Sequence, residues 1–154
     1  MSVEKVKAFF KPYGMEQRIR EFEVSCATAE LAAKALNCET ARIAKTLSFK
    51  TGEQSVLILV AGDAKIDNAK YKKVFGKRPK MLTPEEVIAK IGYEVGGVCP
   101  FGINPGVDVY LDESLRRFPA VFPSCGSSNS LMELSLEELE KFTNAKGWVD
   151  VSSV

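Results

Sequence analysis

Residues 55–61, SVLILVA, run for seven positions without a charge, a proline or a glycine, and no other stretch limits the fold as sharply. A run of this length rich in aliphatic residues reads as a strand. With no polar alternation it has to be covered on both faces, as strands of α/β sheets are. Upstream, residues 45–50 alternate apolar and polar side chains and are joined to it through Thr51-Gly52, so the two are expected to pair as a hairpin.

The rest of the chain supplies the covering layers. A helix is expected over 3–11, where Val3, Val6 and Phe10 share one stripe that Pro12 and Gly14 end. Thr28 caps a second, carrying Leu31, Ala32, Ala35 and Leu36 to a stop at Asn37. Helices follow over 68–75, between Asp67 and Gly76, and from the capping box Thr83-Pro84-Glu85-Glu86 to just before Gly92. A last one starts at the box Ser135-Leu136-Glu137-Glu138 and buries Leu136, Leu139 and Phe142. Further strands are expected at 22–24, 107–111, 120–122 and 131–134. With no repeat, linker or low-complexity segment, the 154 residues make one α/β domain with both hairpins and helical crossovers, long enough to bury a core without disulfide or metal.

The chain contains no histidine. A Ser-His-Asp or Cys-His mechanism and a histidine-ligated metal site are therefore excluded, and chemistry falls to lysine, carboxylate, thiol, backbone donors or the substrate itself. A net charge of +1 argues against a protein that coats polyanions over its whole surface. Cys26, Cys38, Cys99 and Cys125 are widely spaced and form no CxxC pair, so they read as reduced, mostly buried thiols. No secretory signal precedes the first helix, and the longest apolar stretch, 56–61, is too short to span a bilayer, which makes a cytoplasmic location the expectation.

Several residues are candidates for function. Strand alternation puts Lys45 on the apolar side with Leu47 and Phe49; it either meets a ligand or is a strand-end lysine that snorkels to water. The run Gly96-Gly97-Val98-Cys99-Pro100-Phe101-Gly102, followed by Asn104-Pro105-Gly106, lets the main chain approach a bound group, and it equally serves as an ordinary strand connection. Cys99 within it lacks a basic neighbour and reads as structural. The turn Ser124-Cys125-Gly126-Ser127-Ser128-Asn129 either lines the same cleft or satisfies the end of a strand. Lys65, Lys70, Lys72, Lys73, Lys77, Arg78 and Lys80 have only Asp67 among them; they form a patch for an RNA backbone or a solvated helix face. Tyr71 and Phe75, four apart, read as core rather than as base-stacking residues.

Taken in order, Thr28-Ala29-Glu30-Leu31-Ala32-Ala33, Ile43-Ala44-Lys45-Thr46-Leu47 and Gly96-Gly97-Val98-Cys99-Pro100-Phe101-Gly102 resemble the YbaK and prolyl-tRNA-synthetase-associated editing domains over nearly the whole chain. The resemblance implies a single α/β domain with a mixed, mostly antiparallel sheet and flanking helices. It implies a free-standing deacylase that hydrolyses a mischarged aminoacyl-tRNA, cysteine or alanine on the proline tRNA, without metal, cofactor or covalent intermediate. Lys45 matches the family's functional lysine, and Gly96 through Pro100 its Gly-x-x-x-Pro loop. The backbone of Gly97, Val98 and Cys99 is then expected to receive the developing negative charge. Thr28, Gly96, Pro100, Phe101 and Gly126 are expected around the substrate, Lys70, Lys72, Lys73 and Arg78 against tRNA, and a synthetase is a candidate partner. The competing reading is a non-catalytic tRNA- or nucleotide-binding module on the same fold.

Overall fold

The computed structural model describes residues 2–154. The order of elements is α1 (Ser2–Phe10), β1 (Arg20–Glu21), α2 (Ala29–Leu36), β2 (Ile43–Thr51), β3 (Gln54–Ala61), β4 (Lys65–Ile66), α3 (Asn68–Phe75), α4 (Pro84–Glu86) continued by a wide turn of π-helix (Val87–Ile91), β5 (Val107–Asp112), β6 (Ala120–Pro123), β7 (Ser130–Leu131), β8 (Leu134–Ser135), α5 (Leu136–Thr143), β9 (Gly147–Val149) and β10 (Ser152–Ser153).

The helix ends follow their local chemistry. Thr28 Oγ1 accepts from Leu31 N at 3.1 Å, and both boxes, Thr83 with Glu86 and Ser135 with Glu138, close reciprocally. Asn37 and Asn144 take the left-handed conformation at their helix ends, at φ 55° and 52°. β2 and β3 pair antiparallel from Ala44 opposite Ala61 to Thr51 opposite Gln54, which makes them the expected hairpin. Leu57, Ile58, Leu59 and Val60 are fully buried, so β3 is covered on both faces, each such side chain contributing about 1.5–3 kcal/mol relative to exposure.

The main sheet has the order β8-β6-β2-β3-β5-β9. It is mixed, as expected. Three of its five junctions, β2 with β6, β3 with β5 and β5 with β9, are parallel. The small sheets β1-β7 and β4-β10 bring antiparallel pairings to four of seven over the described residues, so the antiparallel majority holds for the chain and not for its central sheet. One core runs under α1 and α5 and includes the rings of Phe10, Phe101 and Phe142. A second, smaller one packs Ala32 and Ala33 of α2 on Ile43, Phe122 and Leu131.

Two expected strands come out differently. Segment 22–24 is not a strand: only Arg20 and Glu21 pair with β7, and Val24 is exposed. Its backbone is instead held by the 128–130 turn, Phe22 N donating to Asn129 O and Asn129 Nδ2 to Phe22 O, both at 2.8 Å. The expected strand 131–134 is two strands, because Leu131 joins β1 while Leu134 joins β6 and the chain bends between them.

Candidate active site

The site lies where β2 loses its neighbours. β6 pairs with β2 only at Ile43 and Ala44. Farther along the same edge, segment 80–82 takes over, with Lys50 N donating to Lys80 O at 2.7 Å and Leu82 N to Ser48 O at 3.3 Å. Between these pairings the edge is bare, and a cleft of about 370 Å³ opens over it, a size that suits a small ligand. Its walls are Lys45 to Ser48 of β2, Cys26 to Ala29 ahead of and into α2, Met81, Leu82, Pro84 and Val87, then Val95, Gly96 and Val98, and Ser124.

Lys45 is half-buried, and its ammonium forms no hydrogen bond or ion pair among the described residues. Stripping water from its ammonium lowers its pKa below the ordinary 10.5; Glu30 and Asp63 pull it back up, and Lys65 pushes it down. Asp63 does not reach Lys45 because Arg117 holds it by both guanidinium arms, at 3.0 and 2.5 Å, and keeps that carboxyl below its usual range. The lysine is thus a cation without a dedicated counter-ion, facing the cleft with Gly96 and Val98. No internal ion pair accounts for its position.

The glycine-rich loop divides into two halves. Gly96 and Val98 line the cleft. The Gly97 amide donates to Glu94 O at 3.0 Å and closes a turn, so it is committed, contrary to the expectation that it faces a substrate. The amides of Val98 and Cys99 donate to no acceptor among the described residues. Gly97 itself is a packing requirement: a Cβ there would lie 2.8 Å from Gly126 O and 3.1 Å from Ser127 Cα. That close approach answers the question left open for the 124–129 turn, in which Ser124 lines the cleft while buried Gly126 braces the loop from behind.

Cys99, Pro100 and Phe101 are buried and do not line the cleft. Burial pushes the Cys99 thiol up to about 12, which keeps it protonated and unfit as a nucleophile. Phe101, expected beside substrate, is a core residue with its ring 4.9 Å from that of Phe10, and its carbonyl accepts from Tyr93 Oη. Phe101→Ala is therefore expected to cost about 3–5 kcal/mol of stability, measured by denaturant unfolding, through the cavity it leaves.

Thr28 lines the cleft, but its hydroxyl is engaged as the helix cap. Of the basic residues, Lys70 is tied to Asp150 at 3.2 Å and to Ser152 O at 2.8 Å, whereas Lys72, Lys73 and Arg78 are exposed and unpaired among the described residues. Arg78 lies three residues before the rim residue Met81. Thr46 and Arg117 have no role in the sequence reading: Thr46 lies within the segment Ile43-Ala44-Lys45-Thr46-Leu47 without being singled out, and no motif marks Arg117.

Comparisons with known proteins place the chain in a family and match its fold. The family described as "Aminoacyl-tRNA editing domain" matches residues 23–142. Uncharacterized protein YwhH of Bacillus subtilis is 49% identical over 98% of this chain and 97% of its own length. The proline–tRNA ligase of Bacillus cytotoxicus is 34% identical over 61% of this chain, a stretch that spans 16% of the ligase. A solved structure described as a candidate trans-editing enzyme for prolyl tRNA synthetase superposes with a TM-score of 0.89 at 31% identity, covering 99% of this chain and 98% of that one.

Proposed function

The chain belongs to the aminoacyl-tRNA editing domain family, and from that premise we propose that it is a trans-acting deacylase that hydrolyses the ester of a small amino acid, such as cysteine or alanine, mischarged on the proline tRNA. The observation that supports this most directly is the convergence of the unpaired Lys45 ammonium and the Val98 loop on one cleft. In this reading Lys45 holds the terminal phosphate or polarises the ester. The amide of Val98, rather than those of Gly97 and the buried Cys99, meets the charge that develops on the carbonyl oxygen as water attacks. The ribose hydroxyl next to the ester supplies what a histidine would otherwise do, orienting or activating that water. Gly96 and Thr28 border the substrate, while Pro100, Phe101 and Gly126 hold the loop in shape.

The aliphatic wall of Leu47, Leu82 and Val87 suits a small apolar or thiol-bearing side chain. One methylene there is worth only about 1–3 kcal/mol, so discrimination among small residues is modest. Lys72, Lys73 and Arg78 meet tRNA phosphates, with Lys70 contributing least because it is already paired.

Deacylation assays with cysteinyl-, alanyl- and seryl-tRNA for proline, against correctly charged prolyl-tRNA, test the proposal. Hydrolysis of at least one mischarged species with the prolyl ester spared is expected. Binding without turnover of any of them would support the non-catalytic module instead. Removing Lys72, Lys73 and Arg78 together should reduce the slope of log affinity against log salt by about 0.7–0.9 for each phosphate that is no longer neutralised. A slope that does not change would take the patch out of the scheme.

A further inference from the structure

We infer that the bare edge of β2 at Thr46 is the subsite for the α-amino group of the aminoacyl ester, an assignment that rests on the editing reading above. Ser48 and Lys50 direct their backbone groups away from β3, as their bonds to Leu82 and Lys80 show. Alternate residues of an antiparallel strand share this direction, so the Thr46 N–H and C=O point the same way. Neither the β6 pairing, which ends at Ala44, nor segment 80–82, which begins to pair at Ser48, covers them. Thr46 also lines the cleft, and its Oγ1 is shielded from water with no hydrogen-bond partner. A buried polar atom is rarely left in this state, and here it sits beside two main-chain groups that pair with nothing among the described residues.

The occupant follows from charge and reach. No aspartate or glutamate lines the cleft, so an amine entering it has to be met by neutral acceptors, and the Thr46 carbonyl and hydroxyl are such a pair. In an aminoacyl ester a single carbon separates the amino nitrogen from the carbonyl carbon, so the two are bound close together. An ester bound in the cleft that Lys45 and Thr46 both line brings its amine to that edge, while its side chain turns to the aliphatic wall.

Thr46→Val removes the hydroxyl and keeps the branched shape, and Thr46→Ser retains the hydroxyl. Both are compared with wild type on the aminoacyl-tRNA that the wild type hydrolyses and on its deaminated acyl counterpart, propionyl-tRNA in the case of an alanyl ester. The wild type is expected to favour the amine-bearing substrate in kcat/KM. Thr46→Val loses about tenfold on that substrate and little on the deaminated one, and Thr46→Ser recovers most of the loss. The melting temperature of Thr46→Val stays level or rises by about 2–4 °C, because an unpartnered buried hydroxyl has been removed. Equal losses on both substrates, or no loss on either, would overturn the amine subsite and leave the editing reading standing. A wild type that hydrolyses no aminoacyl-tRNA would overturn both.

Discussion

Lys45→Ala is expected to lower deacylation by at least about 10²–10³-fold while leaving the fold intact. The loss corresponds to about 2.7–4 kcal/mol of transition-state stabilisation, the range seen when one preorganised donor is removed from an oxyanion site. Stability should not fall with it, since the ammonium has no partner among the described residues and is partly stripped of water. A lysine whose folded pKa lies below its unfolded value destabilises the native state wherever both states carry the proton. That cost disappears as pH rises through the interval below 10.5. The variant should thus melt at or slightly above the wild-type temperature near neutral pH, with the difference closing toward high pH. Single-turnover deacylation and calorimetry on the same preparation check both halves; retention of full activity would remove Lys45 from the mechanism.

Gly97→Ala is the second large effect. The backbone angle at Gly97 is ordinary, so the cost is steric: the new methyl meets Gly126 O at 2.8 Å, Gly126 C at 3.0 Å and Ser127 Cα at 3.1 Å. All three are main-chain atoms and cannot swing aside, so the loop itself has to move. Overpacking of this kind costs about 1–3 kcal/mol of stability. A displacement near 1 Å of the Val98 amide is enough for about a 10²-fold loss in kcat/KM. Gly147→Ala serves as the comparison, since a methyl there meets nothing within 4 Å. Equal activity in the two variants would show that the brace between the loops does not set the donor's position.

What could be read without the fold was what neighbouring residues decide among themselves. Caps and stops at Thr28, Asn37, Thr83 and Ser135, and the β2–β3 hairpin, depend on interactions a few residues apart. They occur where composition and periodicity put them. Signals that were short or shared between roles misled: Phe22 and Val24 alternate like a strand but are held by a distant asparagine, and the glycine-rich loop mixes residues that face the cleft with residues that fill the core.

The sequence by itself determined the fold class and the helix boundaries and singled out Lys45 and the 96–100 loop as candidate loci, because residue type, spacing and family likeness are local properties of the chain. Only the tertiary structure decided that these loci share one cleft, that Gly97 and Phe101 serve packing, and that the edge of β2 is bare at Thr46. Those facts depend on which segments lie beside β2 in space, Ser124 from the C-terminal part of the chain and residues 80–82 from its middle. No pattern within a single segment records such neighbours, since the burial and hydrogen bonding that create the site arise only when the strands close around it.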